Sequence, residues 1–271
     1  MMRILEMPES PLVELRYLNA GHGAGRFTED PLPVHVARVD RLPDGVSAIV
    51  ATADLQGRET FHDSPGGPLR LLGEALPQRL VREVLPMAGI PEGEPVGACL
   101  AGDFYTVPAL DARGGTGDVT AVWRAFSECF QWVAGVAGNH DTFGEPPQKR
   151  PRLFGNTHLL DGTVAEIGSF RIAGIGGVIG KTSRPNRRSE EDYLATLERL
   201  TLAAPDLFLM HEGPDGPGPD QRGLVHIREA LAGCGLGLVI RGHKHWDSPL
   251  AELPCGLQIL NVDARVVILK L

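Results

Sequence analysis

The chain has 271 residues, 42% hydrophobic and 22% charged, with 34 Gly and 22 Pro spread along its length. This composition excludes a disordered or low-complexity chain, and a domain of this size hides roughly 70–75% of its unfolded surface. The net charge of −8 lacks the basic footprint of a dedicated nucleic-acid binder, yet bound divalent cations would invert the local field for a small anionic substrate.

No stretch approaches the ~20 apolar residues of a membrane span, and Met1–Pro8 lacks the apolar run of a signal peptide. Cys99, Cys129, Cys234 and Cys255 are far apart and form no C-x-x-C pair. Buried, reduced thiols in a cytoplasmic protein are expected.

In chain order, Val13–Leu18 and Val34–Val39 read as the strands of a hairpin. Residues 1–46 are taken as an N-terminal extension added to a core domain over 47–271. The intervening Gly21-His22-Gly23-Ala24-Gly25 does not match a phosphate loop and reads as a surface loop. Ser47–Ala53 is a buried strand, and Leu69–Met87 carries apolar residues at helical spacing. Val96–Ala101 is a second strand, Val119–Trp132 a helix and Val133–Ala137 a third strand. Val164–Ile175 alternates like a hairpin, Glu190–Leu202 is helical and Leu207–Met210 is a strand. Leu224–Ala232 is helical, Gly237–Ile240 a strand, and short strands over Leu257–Asn261 and Arg265–Leu269 close the chain. Alternating strand and helix predict an α/β fold, and the late hairpins point to a mixed sheet or two stacked sheets.

Every polar cluster of interest follows a strand, where α/β folds bind ligands. These clusters supply Asp54, Asp103, Asn139, His211 and the pair His243/His245. Carboxylates, an amide oxygen and imidazoles form a donor set for borderline divalent metals. Asp103 has two oxygens to bridge two cations ~3.5–4 Å apart, a clamp for in-line displacement at phosphorus. In an extended turn, His243 and His245 would point the same way across Lys244.

The ordered series Asp54-Leu55-Gln56-Gly57, Gly102-Asp103, Gly138-Asn139-His140-Asp141, His211 and Gly242-His243-Lys244-His245 resembles the calcineurin-like metallophosphoesterases. Their pattern is D-x-H, G-D, G-N-H-D/E, a lone H and G-H-x-H. The resemblance implies a four-layer αββα sandwich of two mixed sheets flanked by helices. It implies that Asp54, Asp103 and His245 hold one metal, and that Asp103, Asn139, His211 and His243 hold a second. A hydroxide held between the metals would attack phosphorus, and His140 would assist the leaving oxygen. The implied cofactors are two divalent ions, and the implied partner is a small phosphorylated substrate, with no membrane.

Two departures stand out. Gln56 replaces the family's His two residues after the first Asp. A ligating amide oxygen is harder than imidazole and favours manganese or magnesium, so manganese heads the expected metals, ahead of iron, zinc or magnesium. Thr106 stands where family phosphatases often carry an Asp that orients the catalytic His. G-N-H-D without a following Arg, residue 142 being Thr, is similar to the diesterase-type members. A phosphodiesterase is therefore expected, with a phosphomonoesterase, a pyrophosphate-bond hydrolase or a non-catalytic binder of a phosphorylated ligand as alternatives. Substrate choice is assigned to loops such as Asn156–Asp161 and Gly176–Ser189. The second carries the basic cluster Lys181, Arg184, Arg187 and Arg188. Arg58 and His62 read as ordinary helix-start residues, and Trp246 as a packing residue.

Overall fold

The computed structural model describes residues 1–21, 26–60, 69–112, 114–144 and 154–271. His62 and residues 22–25 of the glycine-rich loop lie outside them. The apolar runs become two mixed sheets. In the first, Ala48–Ala53, Val96–Leu100, Trp132–Gly135 and Thr157–Leu159 run parallel. Arg265–Lys270 pairs antiparallel with Ala48–Ala53 and parallel with Phe27–Val39. Val13–Ala20 forms a long antiparallel ladder on Phe27–Val39 and joins this sheet through it. In the second sheet, Phe170–Ile175, Leu207–Met210, Leu238–Arg241 and Gln258–Asn261 are parallel. Thr163–Ile167 and Leu250–Glu252 close its two edges antiparallel.

Alternate side chains of a strand face opposite ways, and here both faces are buried. Ile49, Ala51 and Cys99 share an inter-sheet core with Leu207, Leu209 and Ile240. Val50, Ala98 and Val133 turn the other way, onto Leu76, Trp123 and Phe126 of the covering helices. On the far side, Phe208, Met210 and Val239 pack beneath Tyr193, Leu197 and Ile227. Burying each such side chain stabilises by roughly 1.5–3 kcal/mol. The result is four layers, helix, sheet, sheet, helix.

The segment expected as one helix over Leu69–Met87 is broken. It runs as Leu72–Arg79, a π-helical stretch Leu80–Val84 and a short turn Leu85–Met87. Pro77 and Pro86 each withdraw a backbone donor from the ladder, and the wider turn lies between them. The following helix spans Thr120–Cys129 and stops short of Trp132, which opens the next strand. The four thiols are free, but only Cys99 is buried, because the others lie on helices or turns rather than inside a sheet.

Stacking the sheets brings the carboxyl ends of Ala48–Ala53, Val96–Leu100 and Trp132–Gly135 beside those of Leu207–Met210 and Leu238–Arg241. The Ala53–Asp263 bridge ties the C-terminal strands to this edge.

Candidate metal centre

At that edge the backbone bends sharply. Asp54, Asp103 and His243 all adopt left-handed conformations, with φ of 54°, 59° and 71°. Such geometry costs a non-glycine residue on the order of 1–3 kcal/mol, and strain of this kind concentrates at functional sites. Gly102 shares the bend at φ 91°, and a Cβ there would collide with the Gly138 backbone and the His211 ring. A side chain at Gly138 would strike the Asp103 carboxylate. Both glycines let two loops approach closely enough to place their donors together.

Asp103 is the hub. One carboxylate oxygen accepts the backbone N–H of His140 at 2.9 Å. The other lies 3.3 Å from His211 Nε2 and 3.5 Å from Gln56 Nε2, the outer limit of a hydrogen bond. Asp54 Oδ2 accepts the backbone N–H of His243 at 2.8 Å. Donor atoms of Asp103, His211 and His243 lie within 4.8 Å of one another, a spacing suited to one ion. The rings of His211 and His243 are 5.0 Å apart.

His211 is wholly buried, and its tautomer follows from its partners. Nδ1 stands 2.8 Å from the Ala101 carbonyl and must donate. Nε2 therefore faces Asp103 and, at 3.2 Å, the Asn139 side-chain oxygen. Two oxygens aimed at one ring nitrogen require a cation there, either a proton or a metal. Burial opposes the charged ring, but the Asp103 charge, its hydrogen bond and Asp54 prevail and push the His211 pKa up to about 10. His243 is driven the other way, to about 3, first by burial and then by cationic His211. Burial, then Asp263, push Asp54 well up. Burial also works against ionised Asp103, yet His211 and the His140 backbone N–H hold its pKa below the usual carboxylate range. The donor set thus contains carboxylates, a neutral imidazole, an imidazole held ready to exchange its proton for a metal, and amide side chains. It fits a divalent cation.

His245 keeps different company from His243. Its Nδ1 lies 3.4 Å from the Asp263 carboxylate, its Nε2 lies 3.2 Å from Arg265 Nη2, and half its side chain is exposed. The two imidazoles have different neighbours, Glu212 and His211 for His243 and Asp263 and Arg265 for His245, and His243 takes a left-handed φ of 71° rather than an extended one.

His140 is half-buried, with Nδ1 3.4 Å from Thr116 Oγ1. Thr106 plays no part in orienting it: its buried hydroxyl has no partner among the described residues. Asp141 accepts N–H bonds from Asp103, Phe104 and Gly138, so it latches loops together. Arg58 is buried and donates to the Thr106 carbonyl at 2.8 Å. Trp246 is buried, donates to the Arg222 carbonyl and lies under the Arg241 guanidinium, which makes it a packing residue. Thr116, Asp263 and Glu212, whose Oε1 lies 3.8 Å from His243 Nε2, escaped the sequence reading. None belongs to a recognisable motif, and only the chain's path brings them near.

Fold and site together define a metal-binding α/β sandwich whose donors sit at strand ends. The sequence profile of the calcineurin-like phosphoesterases matches residues 48–247. The chain belongs to that family, and it is a metal-dependent hydrolase of phosphoester bonds. TT1561 of Thermus thermophilus shares the fold at 18% identity and a TM-score of 0.51, over 79% of this chain and 88% of that one. The phosphopantetheinyl hydrolase PptH of Mycobacterium tuberculosis is 13% identical, with a TM-score of 0.44 over 81% of this chain and 90% of that one. No curated protein matches the chain in sequence. Among the described residues, no helix is long and apolar enough to cross a membrane.

Proposed function

We propose that the chain is a phosphodiesterase that uses two divalent ions, manganese first among them, in a cytoplasmic setting. Asp54, Gln56, Asp103 and His245 would hold one ion, and Asp103, Asn139, His211 and His243 the other. The observation that carries the reading is His211, whose Nε2 faces two oxygens while Nδ1 is committed to a carbonyl.

Bound metals would neutralise charge on the phosphoryl oxygens and act as Lewis acids. The chain's own residues supply the rest. Asp103 would serve both donor groups, and its carboxylate accepts the backbone N–H of His140. That contact sets the imidazole at the rim, where it can hand a proton to the departing alkoxide. The Thr116 hydroxyl restrains the opposite ring nitrogen. Gln56 contributes a hard oxygen after rotation of its amide, which supports manganese over zinc.

Two features support a diester. Arg265, the guanidinium beside His245, is buried and donates to the Trp246 and Asp263 carbonyls, so it is not free to grip a dianionic monoester. Residue 142, beside the G-N-H-D loop, is Thr and offers no cation either. A diester carries a single negative charge and needs less.

The test compares bis(p-nitrophenyl) phosphate with p-nitrophenyl phosphate on metal-loaded protein, wild type against Asp103→Asn. Metal-dependent turnover favouring the diester is expected, and the variant should lose both activity and bound metal. Preference for the monoester would transfer the protein to the phosphomonoesterases. Metal binding without turnover of either ester would overturn the diesterase reading.

A further inference from the structure

A cleft of about 640 Å³ is lined by Ala137, Phe143 and residues of the Gly176–Ser189 loop, and it is within the size range of small-molecule sites. It shares a wall with the loop that carries Asn139 and His140. Asn186, at the cleft, donates to the Gly138 carbonyl at 2.8 Å and to the Asp141 carbonyl at 2.7 Å. The floor below is tied to the centre as well: Gly177 N–H donates to the Ala137 carbonyl, and Ile179 N–H to Glu212, the carboxylate facing His243. The cleft is thus coupled through the backbone to the loop that carries Asn139 and His140.

Its lining is mixed in chemistry. Phe143, Leu159 and Leu160 give it apolar surface, Arg184, Arg187 and Arg188 cationic groups, and Asp161 and Asp192 carboxylates. The basic cluster visible in the sequence is thereby sorted. Lys181 is outside the lining. Arg188 is neutralised by Asp161 at 2.8 Å and Asp192 at 2.7 Å. Arg184 and Arg187 have no carboxylate partner among the described residues. In a chain of net charge −8, two guanidinium groups without a carboxylate partner in one concave site, Arg184 exposed and Arg187 half-buried, offer an anion a place to bind. The planar guanidinium fork matches phosphate oxygens in pairs. Two positive charges also balance a terminal phosphate dianion, which a lone carboxylate would not.

We infer that this cleft holds a second phosphate group, carried on the substrate away from the scissile bond. Arg184 and Arg187 grip that phosphate, and the organic body of the substrate rests against Phe143, Leu159 and Leu160. The substrate class narrows to phosphate esters with a distal phosphate and an apolar or aromatic portion. This inference deepens the hydrolase reading and rests on it for the meaning of the site, but its test does not depend on turnover.

The probe is 1-naphthyl phosphate, titrated by calorimetry into metal-stripped protein, so that neither the metals nor hydrolysis contributes. Wild-type protein should bind it, more weakly as salt rises. The Arg184→Ala/Arg187→Ala variant should bind at least about tenfold more weakly, the scale of losing charge-assisted contacts. Arg184→Lys/Arg187→Lys keeps the charge but not the fork, so it should fall between the two and carries the test if the alanine variant is unstable. The same titration with 1-naphthoate separates phosphate from carboxylate recognition and should give the weaker binding. Wild-type protein that ignores the probe, or equal binding by all three proteins, overturns the assignment. Failure of the diester assay described above would leave this binding result standing.

Discussion

The Asp141 carboxylate accepts the backbone N–H of Asp103 at 2.8 Å, across 38 positions of sequence. The same carboxylate takes the N–H groups of Phe104 at 2.9 Å and Gly138 at 2.8 Å. One buried side chain thus pins the G-D turn against the G-N-H-D turn and sets how Asp103 faces His211.

Asp141→Asn should therefore act at a distance from the chemistry. An amide presents one acceptor and turns an N–H toward other N–H groups, which leaves a buried donor unpaired at a cost of about 1–3 kcal/mol. Thermal unfolding should show that loss. Metal titration should show weaker binding, because Asp103 is no longer held. A variant with wild-type stability and affinity would mean that the latch does not position the ligand.

His140→Ala should slow turnover by roughly 10²–10⁴-fold, the usual contribution of general acid–base catalysis, with metal binding largely intact. The loss should shrink for esters with good leaving groups, which need little protonation. Equal losses across leaving groups would contradict the acid role. Thr116→Val should give a smaller fall in kcat with KM little changed, since the ring loses its Nδ1 partner. An unchanged kcat would mean that Thr116 does not position the ring.

Metal loading should release protons at neutral pH. The His211 pKa of about 10 in the metal-free protein means that an incoming ion must displace its proton. His243, at about 3, is already neutral and has none to give. The release is therefore on the order of one proton per ion bound at this imidazole. The sign follows: affinity climbs as pH rises toward the His211 pKa and falls in acid. Calorimetry of one metal in two buffers of different ionisation heat measures the number directly. A count of zero would place the metal elsewhere.

Gln56→His should tighten one of two metal affinities and shift preference toward zinc, since imidazole is a borderline donor and the amide oxygen a hard one. The donors Asp103, Asn139, His211 and His243 should be little affected. Titration of stripped wild-type and variant proteins gives the comparison, and identical affinities would put residue 56 outside the coordination sphere.

The sequence by itself determined the layers and the order of the chemistry. Strands such as Leu207–Met210 and the hairpin Thr163–Ile167/Phe170–Ile175 are local patterns of apolar residues, and each ends in a short polar motif that neighbouring residues suffice to reveal. Asp54, Asp103, Asn139, His140, His211 and His243 could be named because each belongs to such a motif. Tertiary structure decided what those residues face. The Ala101–His211 contact spans 110 positions and the Asp54–His243 contact 189. No local pattern encodes such pairs, so neither the tautomer of His211 nor the latch at Asp141 was legible. The left-handed φ at His243 and the separate neighbours of His243 and His245 were equally beyond a local reading, because they arise at the packed edge. The arginines at 184, 187 and 188 are alike in sequence. Two neighbouring carboxylates, Asp161 and Asp192, neutralise one of them and leave the other two facing the cleft, a distinction made by proximity in space alone.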